Sequence, residues 1–220
     1  MDELSLFQRV AVWAIPVLFA ITVHEVSHGW VASRLGDPTA KMLGRLTLNP
    51  IKHIDPLGTV LLPLIMILLT QGRFVFGWAK PVPITPQNLH NPKRDMAIVA
   101  AAGPISNLLM ALLWAILLRI ALVIGPEPGS AATFLLYVSD AGIQINIFLA
   151  VLNMLPIPPL DGGRVAVGLL PGPLSWQLSR IEPYGFFILI ALLYSHAFDF
   201  ILYPLVSIFL RLYLTIGGVG

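Results

Sequence analysis

The chain has 220 residues, of which 57% are hydrophobic and 11% charged, and its mean hydropathy is +0.84. These values exclude an ordinary soluble globular protein and predict an all-α polytopic membrane protein with about four to six membrane helices. The net charge of +2 does not indicate nucleic-acid binding, because basic residues in membrane proteins usually report topology. The absence of cysteine excludes disulfides, thiolate metal sites and a cysteine nucleophile.

The first predicted membrane helix carries an unusual polar motif. The apolar stretch from Val10 to Leu35 spans roughly 39 Å as a helix, which is enough to cross a bilayer with some tilt. It contains the sequence HEVSH, in which His24 and His28 are four residues apart and share one helix face. Both imidazoles can therefore bind one metal ion, and Glu25 beside them is a candidate general base. Because ionisable side chains are costly in a membrane, metal binding is favoured over a packing role.

The region after this helix is predicted not to cross the membrane. Residues 36–55 are rich in turn signals and read as an interfacial loop. The apolar run from Leu57 to Thr70 has 14 residues and contains Pro63, so it is shorter than a spanning helix and predicts a re-entrant or interfacial segment. The prolines between residues 71 and 94 exclude a continuous helix there, and the sequence FVF at 74–76 is typical of short extended or interfacial structure.

Two further membrane helices are predicted before a proline-rich break. They cover Met96–Ile124 and Ala131–Leu155, and the second ends in the sequence PIPPLDGG. A break at membrane depth is tolerated only where it lines a cavity or is buried in protein, so this one predicts a site. The apolar stretch from Tyr184 to Leu214 is interrupted at residues 195–199, which fits either a helical hairpin or one long broken helix.

A third metal ligand is needed, because a catalytic zinc typically has three protein ligands and one open position. Asp161 is the favoured candidate, since it lies on the broken segment and two glycines after it allow close backbone approach. Asp161 also suits the N-cap of a helix over residues 162–170. On the residues alone, both interpretations stay open.

Three motifs together resemble the site-2 protease family of intramembrane zinc metalloproteases. They are HEVSH in a membrane helix, AGPISN at residues 102–107 and NMLPIPPLDG at residues 153–162. The resemblance runs from about Ile15 to Arg164. It implies that zinc is bound by His24, His28 and Asp161 and that Glu25 activates water. It also implies that Asn107 and Asn153 lie near the site.

One intramembrane protease domain is expected over residues 1–220, in a short form that departs from the family because it has no PDZ or CBS regulatory domain. The catalytic core is expected at about residues 8–170 and a C-terminal helical region at 184–216. The implied activity is zinc-dependent hydrolysis of peptide bonds in or near the transmembrane segments of membrane-protein substrates. The carbonyl groups of a transmembrane substrate helix are engaged in internal hydrogen bonds, so the substrate must unwind locally before it is cleaved. The stretch 74–86 would either pair with the unwound strand or serve as an interfacial connector.

Charge distribution predicts the orientation in the cell membrane. If residues 57–70 are re-entrant, ten lysines and arginines share the side of Asp161 and two lie opposite, whereas full crossing gives seven against five. The positive-inside rule therefore favours the re-entrant arrangement, with the active site nearer the cytosolic face.

One alternative belongs to another class of protein. Zinc transporters of the ZIP type also carry H-E-x-x-H in membrane helices, and an inactive homologue with a structural role is a further alternative. A transport path would need a second polar helix, for which the stretch around Asp140, Gln144, Asn146 and Asn153 is the candidate. Because only one of these four ionises, the sequence favours the protease.

Overall fold

The computed structural model describes residues 5–70, 77–194 and 197–219. Over these ranges the chain is helical and has no strand, which confirms the predicted all-α fold. Among the described residues, four helices are long and apolar enough to cross a membrane: Phe7–Arg34, Pro92–Ile124, Ala131–Asn153 and Phe200–Gly217. The chain is a multi-pass membrane protein.

Helix α1 spans Leu6–Arg34 and begins four residues before its predicted start. A capping box explains the difference, because the Ser5 hydroxyl accepts a hydrogen bond from the Gln8 amide and the Gln8 side chain accepts one from the Ser5 amide. Pro16 lies inside the helix without ending it. The long uninterrupted helix carries the HEVSH motif towards its C-terminal end.

Helices α4 and α5 form the centre of the bundle. Helix α4 spans Pro92–Ile124, α5 spans Ala131–Asn153, and α1 packs on both. The predicted start of α4 at Met96 was four residues late, because Pro92 fits the first helical turn, where its missing N–H is not needed. Leu118 and Ile147 are fully buried between the helices.

The outer surface of α4 has the opposite character. Leu109, Leu113, Ile116 and Ile120 are all exposed. A contiguous apolar stripe of this kind on a long helix is typical of a surface that faces lipid rather than water.

Several short elements connect α1 to α4. They are α2 (Thr39–Met42), a 3₁₀ turn (Pro50–His53), a π-helical turn (Pro56–Leu61) running directly into α3 (Leu62–Thr70), and a second 3₁₀ turn (Pro86–Asn88). Residues 77–85, called the connector below, are irregular. The predicted loop at 36–55 thus contains two short helical turns, and the predicted extended residues 74–76 lie outside the described part of the chain.

Both ends of this connecting region lie at the same end of the bundle. The His90 amide donates a hydrogen bond to the Leu35 carbonyl over 3.0 Å, which joins the end of α1 to the start of α4. The predicted re-entrant or interfacial segment thus belongs to a region whose two ends meet at the same end of the bundle.

A buried carboxylate at the end of α1 strengthens this junction. Asp37 is fully buried and accepts hydrogen bonds from Thr39, from the Thr85 amide over 2.7 Å and from the Asn88 side chain over 3.0 Å. Burial alone would raise the pKa of the Asp37 carboxyl, but hydrogen bonds from two side chains and two backbone amides lower it below its usual value. The charged form therefore stabilises the fold.

We expect Asp37→Asn to lower the free energy of unfolding by about 1–3 kcal/mol at neutral pH, because hydrogen bonds to a charged acceptor are lost. Because its pKa is lower in the folded state, the Asp37 carboxylate contributes fully to stability at pH values above its unfolded-state pKa of about 3.9. This contribution is lost as the pH falls through the folded-state pKa. The difference in free energy of unfolding between Asp37→Asn and wild type should therefore become smaller below about pH 4. Thermal unfolding in detergent across this range tests both effects, and a difference independent of pH would contradict them.

The C-terminal part begins with α6 (Asp161–Leu169) and α7 (Gly172–Ser179), which the sequence did not predict as a separate helix. A 3₁₀ turn at Glu182–Tyr184 leads into α8 (Gly185–Tyr194), and α9 (Ala197–Gly217) packs on α4 and α5. Residues 195 and 196 lie outside the described part, so the choice between a hairpin and a broken helix stays open.

Candidate metal centre

Two helices present the three predicted ligands. Helix α1 carries His24 and His28 on one face, and α6 begins at Asp161, directly after the proline-rich turn. Glycines allow α6 to sit close against the end of α5, because a Cβ at Gly162 would lie 2.3 Å from the Met154 carbonyl oxygen. The sequence DGG thus fixes the position of the carboxylate.

The ligand atoms converge at one point. His24 Nε2 lies 3.0 Å and His28 Nε2 lies 3.3 Å from Asp161 Oδ2, and all three side chains are buried. A tetrahedral ion with bonds of about 2.0–2.1 Å has neighbouring ligands about 3.3 Å apart, so these separations match a zinc site. Within the described residues, no other group of three metal-ligating side chains comes together.

Hydrogen bonds hold both imidazoles at Nδ1. His24 Nδ1 is 2.6 Å from Asn107 Oδ1, and His28 Nδ1 is 2.7 Å from the Val99 carbonyl oxygen. Both partners only accept, so each Nδ1 carries the proton, an assignment that follows from the network. Nε2 of each ring lies towards Asp161 and is therefore the atom that can bind a metal, as in a metal-binding histidine whose other nitrogen is hydrogen-bonded.

A chain of amides fixes the partner of His24. The Asn107 side-chain amide donates to the Ala20 carbonyl over 3.2 Å and to Asn146 Oδ1 over 2.9 Å. Asn146 in turn donates to the Gly142 carbonyl over 2.9 Å. These bonds leave Asn107 Oδ1 facing the imidazole and link α1, α4 and α5 behind the site.

The carboxylate fits a bound cation. Asp161 Oδ2 is buried, and the atoms that face it are Nε2 of His24 at 3.0 Å and Nε2 of His28 at 3.3 Å. One carboxylate oxygen and two imidazole nitrogens that converge in a buried position form a donor set that suits one bound cation. The described residues therefore fit Zn²⁺, with His24, His28 and Asp161 as the holders.

Space for the two rings is provided by a glycine on α4. A Cβ at Gly103 would lie 2.5 Å from His28 Nε2 and 2.6 Å from His24 Nε2. No real side chain approaches that closely, so the site requires glycine here. The motif AGPISN thus supplies both this gap and Asn107.

Glu25 occupies a different face of α1 from the ligands. It is partly buried, and its Oε2 accepts a hydrogen bond of 2.8 Å from the Val82 amide in the connector. It does not take part in the ligand cluster, which leaves it available for proton transfer.

The remaining predicted site residue, Asn153, is not brought to the ligands by any hydrogen bond in the described residues. Its side-chain amide donates to the Leu149 carbonyl one turn earlier in α5. The N-cap alternative for Asp161 is also not what is seen, because Leu160 precedes the helix and the carboxylate faces the histidines. Sequence reasoning missed the Val99 carbonyl and the role of Gly103.

We expect Asn107→Ala to weaken zinc binding about 10–100-fold, because the outer partner of a ligating imidazole orients it and raises its basicity. Titration of the metal-free protein with zinc and a competing chelator measures this directly. The control is Leu109→Ala, which changes an exposed side chain on the same helix. Equal affinities in the two variants would contradict the role given to Asn107.

A buried centre of two histidines and one carboxylate, with a glutamate beside it, is the ligand set of a catalytic zinc hydrolase. Here that centre lies within a bundle of membrane helices. The fold and site therefore define the class of membrane-embedded zinc hydrolases.

Comparison with known proteins agrees with this class. Residues 126–194 match the model of peptidase family M50. The chain is 38% identical over 194 residues to "Putative zinc metalloprotease YwhC" of Bacillus subtilis, an alignment that covers 88% of this chain and 84% of the relative. It is 32% identical over 186 residues to "Putative zinc metalloprotease Rip2" of Mycolicibacterium smegmatis, covering 83% and 66%. No solved structure matches the chain significantly.

The chain belongs to the site-2 protease family of zinc metalloproteases, peptidase family M50, as its motifs predicted. Its metal cofactor is zinc. The matched range 126–194 contains Asp161 and the proline-rich turn before it.

Proposed function

We propose that this protein is a zinc-dependent intramembrane endopeptidase, which hydrolyses peptide bonds in or near the transmembrane segments of membrane-protein substrates. The observation that carries the proposal is the convergence of His24, His28 and Asp161 inside a bundle of membrane-length helices, with Glu25 beside them. Charge bias supports a site nearer the cytosolic face of the cell membrane.

In the reaction, the chain's own residues hold the metal and move one proton. Bound zinc acts as a Lewis acid, which makes water more acidic and polarises a carbonyl. Glu25 accepts a proton from the attacking water while the water oxygen forms a bond to the scissile carbonyl carbon. Glu25 then gives this proton to the amine nitrogen as the C–N bond breaks. Asn107 and the Val99 carbonyl keep the two imidazoles oriented throughout.

The polar residues considered for a transport path all make hydrogen bonds within the protein. Gln144 donates to Asp140 over 2.9 Å, and Asn146 belongs to the amide chain behind His24. Within the described residues, α5 carries no second set of metal ligands. This arrangement supports hydrolysis over transport.

Reconstitution in liposomes with a tagged, single-span membrane substrate tests the proposal. We expect cleavage within or next to the transmembrane segment, located by mass spectrometry of the products. A strong chelator should abolish cleavage and added zinc should restore it. Stable zinc binding without cleavage of any tested substrate would contradict the proposal; zinc uptake into liposomes would then identify a transporter, and no uptake an inactive homologue.

A further inference from the structure

One contact links the candidate base to a segment far from it in sequence. Glu25 and Gly29 are four residues apart and share a face of α1, and the connector lies against this face. The Val82 amide donates to Glu25 Oε2 over 2.8 Å. The carboxylate thus receives a donor from outside its own helix.

Gly29 permits this close approach. A Cβ at position 29 would lie 2.7 Å from Val82 Cγ1 and 2.7 Å from Leu46 Cδ2. Val82 is 5% exposed, so its side chain fills the space that the glycine leaves. The connector is therefore packed against α1 at the turn that follows Glu25.

The connector backbone is anchored on both sides of Val82. Before it, the Lys80 amide donates to the His53 carbonyl over 2.9 Å, and the Lys80 carbonyl accepts from Arg45 over 3.0 Å. After it, the Thr85 amide donates to Asp37 over 2.7 Å. The connector backbone is thus fixed on both sides of Val82 by groups other than Glu25.

The flanking residues single out this amide. Pro81 and Pro83 have no N–H, so Val82 carries the only backbone donor of the three. Prolines also restrict φ and stiffen the segment. Within residues 77–85, the two prolines leave fewer backbone donors for pairing with a substrate strand, which favours the interpretation as an interfacial connector.

On the basis of the function proposed above, we propose that the connector positions Glu25. The Val82 amide holds one carboxylate oxygen and thereby directs the other oxygen towards the reacting water. A glutamate side chain has three rotatable bonds, and a free one would spend much of its time misdirected. Catalysis is sensitive to such misplacement, since shifts of about 1 Å cost about 100-fold in rate. Val82 acts through Glu25 and does not itself touch the reacting atoms.

Two substitutions at Val82 separate its amide from its side chain. Val82→Pro removes the N–H, whereas Val82→Ala keeps it and shortens the side chain. We expect Val82→Pro to lower kcat at least tenfold, with KM within about twofold and zinc content unchanged. Val82→Ala should keep kcat within about threefold of wild type. Equal kcat values in the two variants, both folded and loaded with zinc, would overturn the proposal.

A second variant moves the amide without deleting it. Gly29→Ala should push the connector from α1 and lower kcat in the same way, even if Val82→Pro fails to fold. The control is Gly172→Ala, where a Cβ meets nothing within 4 Å. Wild-type kcat in folded Gly29→Ala would contradict the positioning role.

The hydrogen bond also has a readout that needs no activity. In protein labelled with ¹⁵N-valine, the amide signal that Val82→Ala removes belongs to Val82. We expect this signal to move upfield in Glu25→Ala, because its acceptor is gone. If this signal does not move, the hydrogen bond between the Val82 amide and Glu25 is not present. If the signal moves but wild type cleaves nothing, the proposed function fails alone; if wild type cleaves and both Val82 variants match it, the positioning role fails alone.

Discussion

Glu25→Gln should abolish cleavage and leave zinc bound. A general base typically contributes 10²–10⁴-fold, so we expect a rate at least about 100-fold lower. Glutamine has nearly the shape of glutamate and can still accept the Val82 hydrogen bond, so the connector should stay in place. Because Glu25 does not belong to the ligand cluster, zinc content should equal that of wild type. Cleavage rates and metal analysis of the same preparations measure both quantities.

The matched control for this experiment is Glu127→Gln, which removes an exposed carboxylate in the loop between α4 and α5. It should cleave at the wild-type rate. Full activity of Glu25→Gln would exclude Glu25 as the base. Loss of zinc from Glu25→Gln would instead indicate that the glutamate supports the metal site.

Gly103→Ala should empty the metal site. The added methyl group would lie 2.5–2.6 Å from both ligating rings, and these rings are held from behind by Asn107 and the Val99 carbonyl. They cannot retreat without losing hydrogen bonds that orient them. We expect zinc affinity to fall at least about tenfold, and cleavage to fall with it at limiting zinc.

Gly172→Ala again serves as the control, since it adds the same methyl group in open space. It should keep zinc affinity and activity. Thermal unfolding in excess chelator distinguishes a local effect from general misfolding, because a local clash leaves the metal-free stability close to that of Gly172→Ala. Wild-type zinc affinity in Gly103→Ala would mean that the rings lie elsewhere.

Local spacing explains why much of the site was predictable. His24 and His28 face one ion because any helix aligns residues four apart, and their position in an apolar helix makes a packing role costly. Asp161 was ambiguous on local grounds, since aspartate before two glycines also suits a helix start. Only the tertiary placement of α6, which packs on α4 and brings the Asp161 carboxylate to the two histidines of α1, distinguishes these two interpretations.

Long-range contacts explain what was missed. The Val99 carbonyl has no signature in sequence, because every residue has one, and its role depends on the register of α4 against α1. Asn107 and Asn153 looked equivalent within their motifs. Asn107, however, is hydrogen-bonded to the metal-ligand candidate His24, whereas Asn153 is hydrogen-bonded to a carbonyl of its own helix. Asp37 read as part of a turn, although it joins two segments that are distant in the chain.

The ligands come from α1 and α6, which has a consequence for biosynthesis. His24 and His28 enter the membrane with the first helix, but Asp161 follows only after α4 and α5 have been made. The nascent chain therefore exposes two histidines of the site without the third ligand. Because Asn107 and Gly103 also arrive with α4, a chain that has been made only as far as α5 still lacks one of the three ligands, and the metal centre is completed late in synthesis.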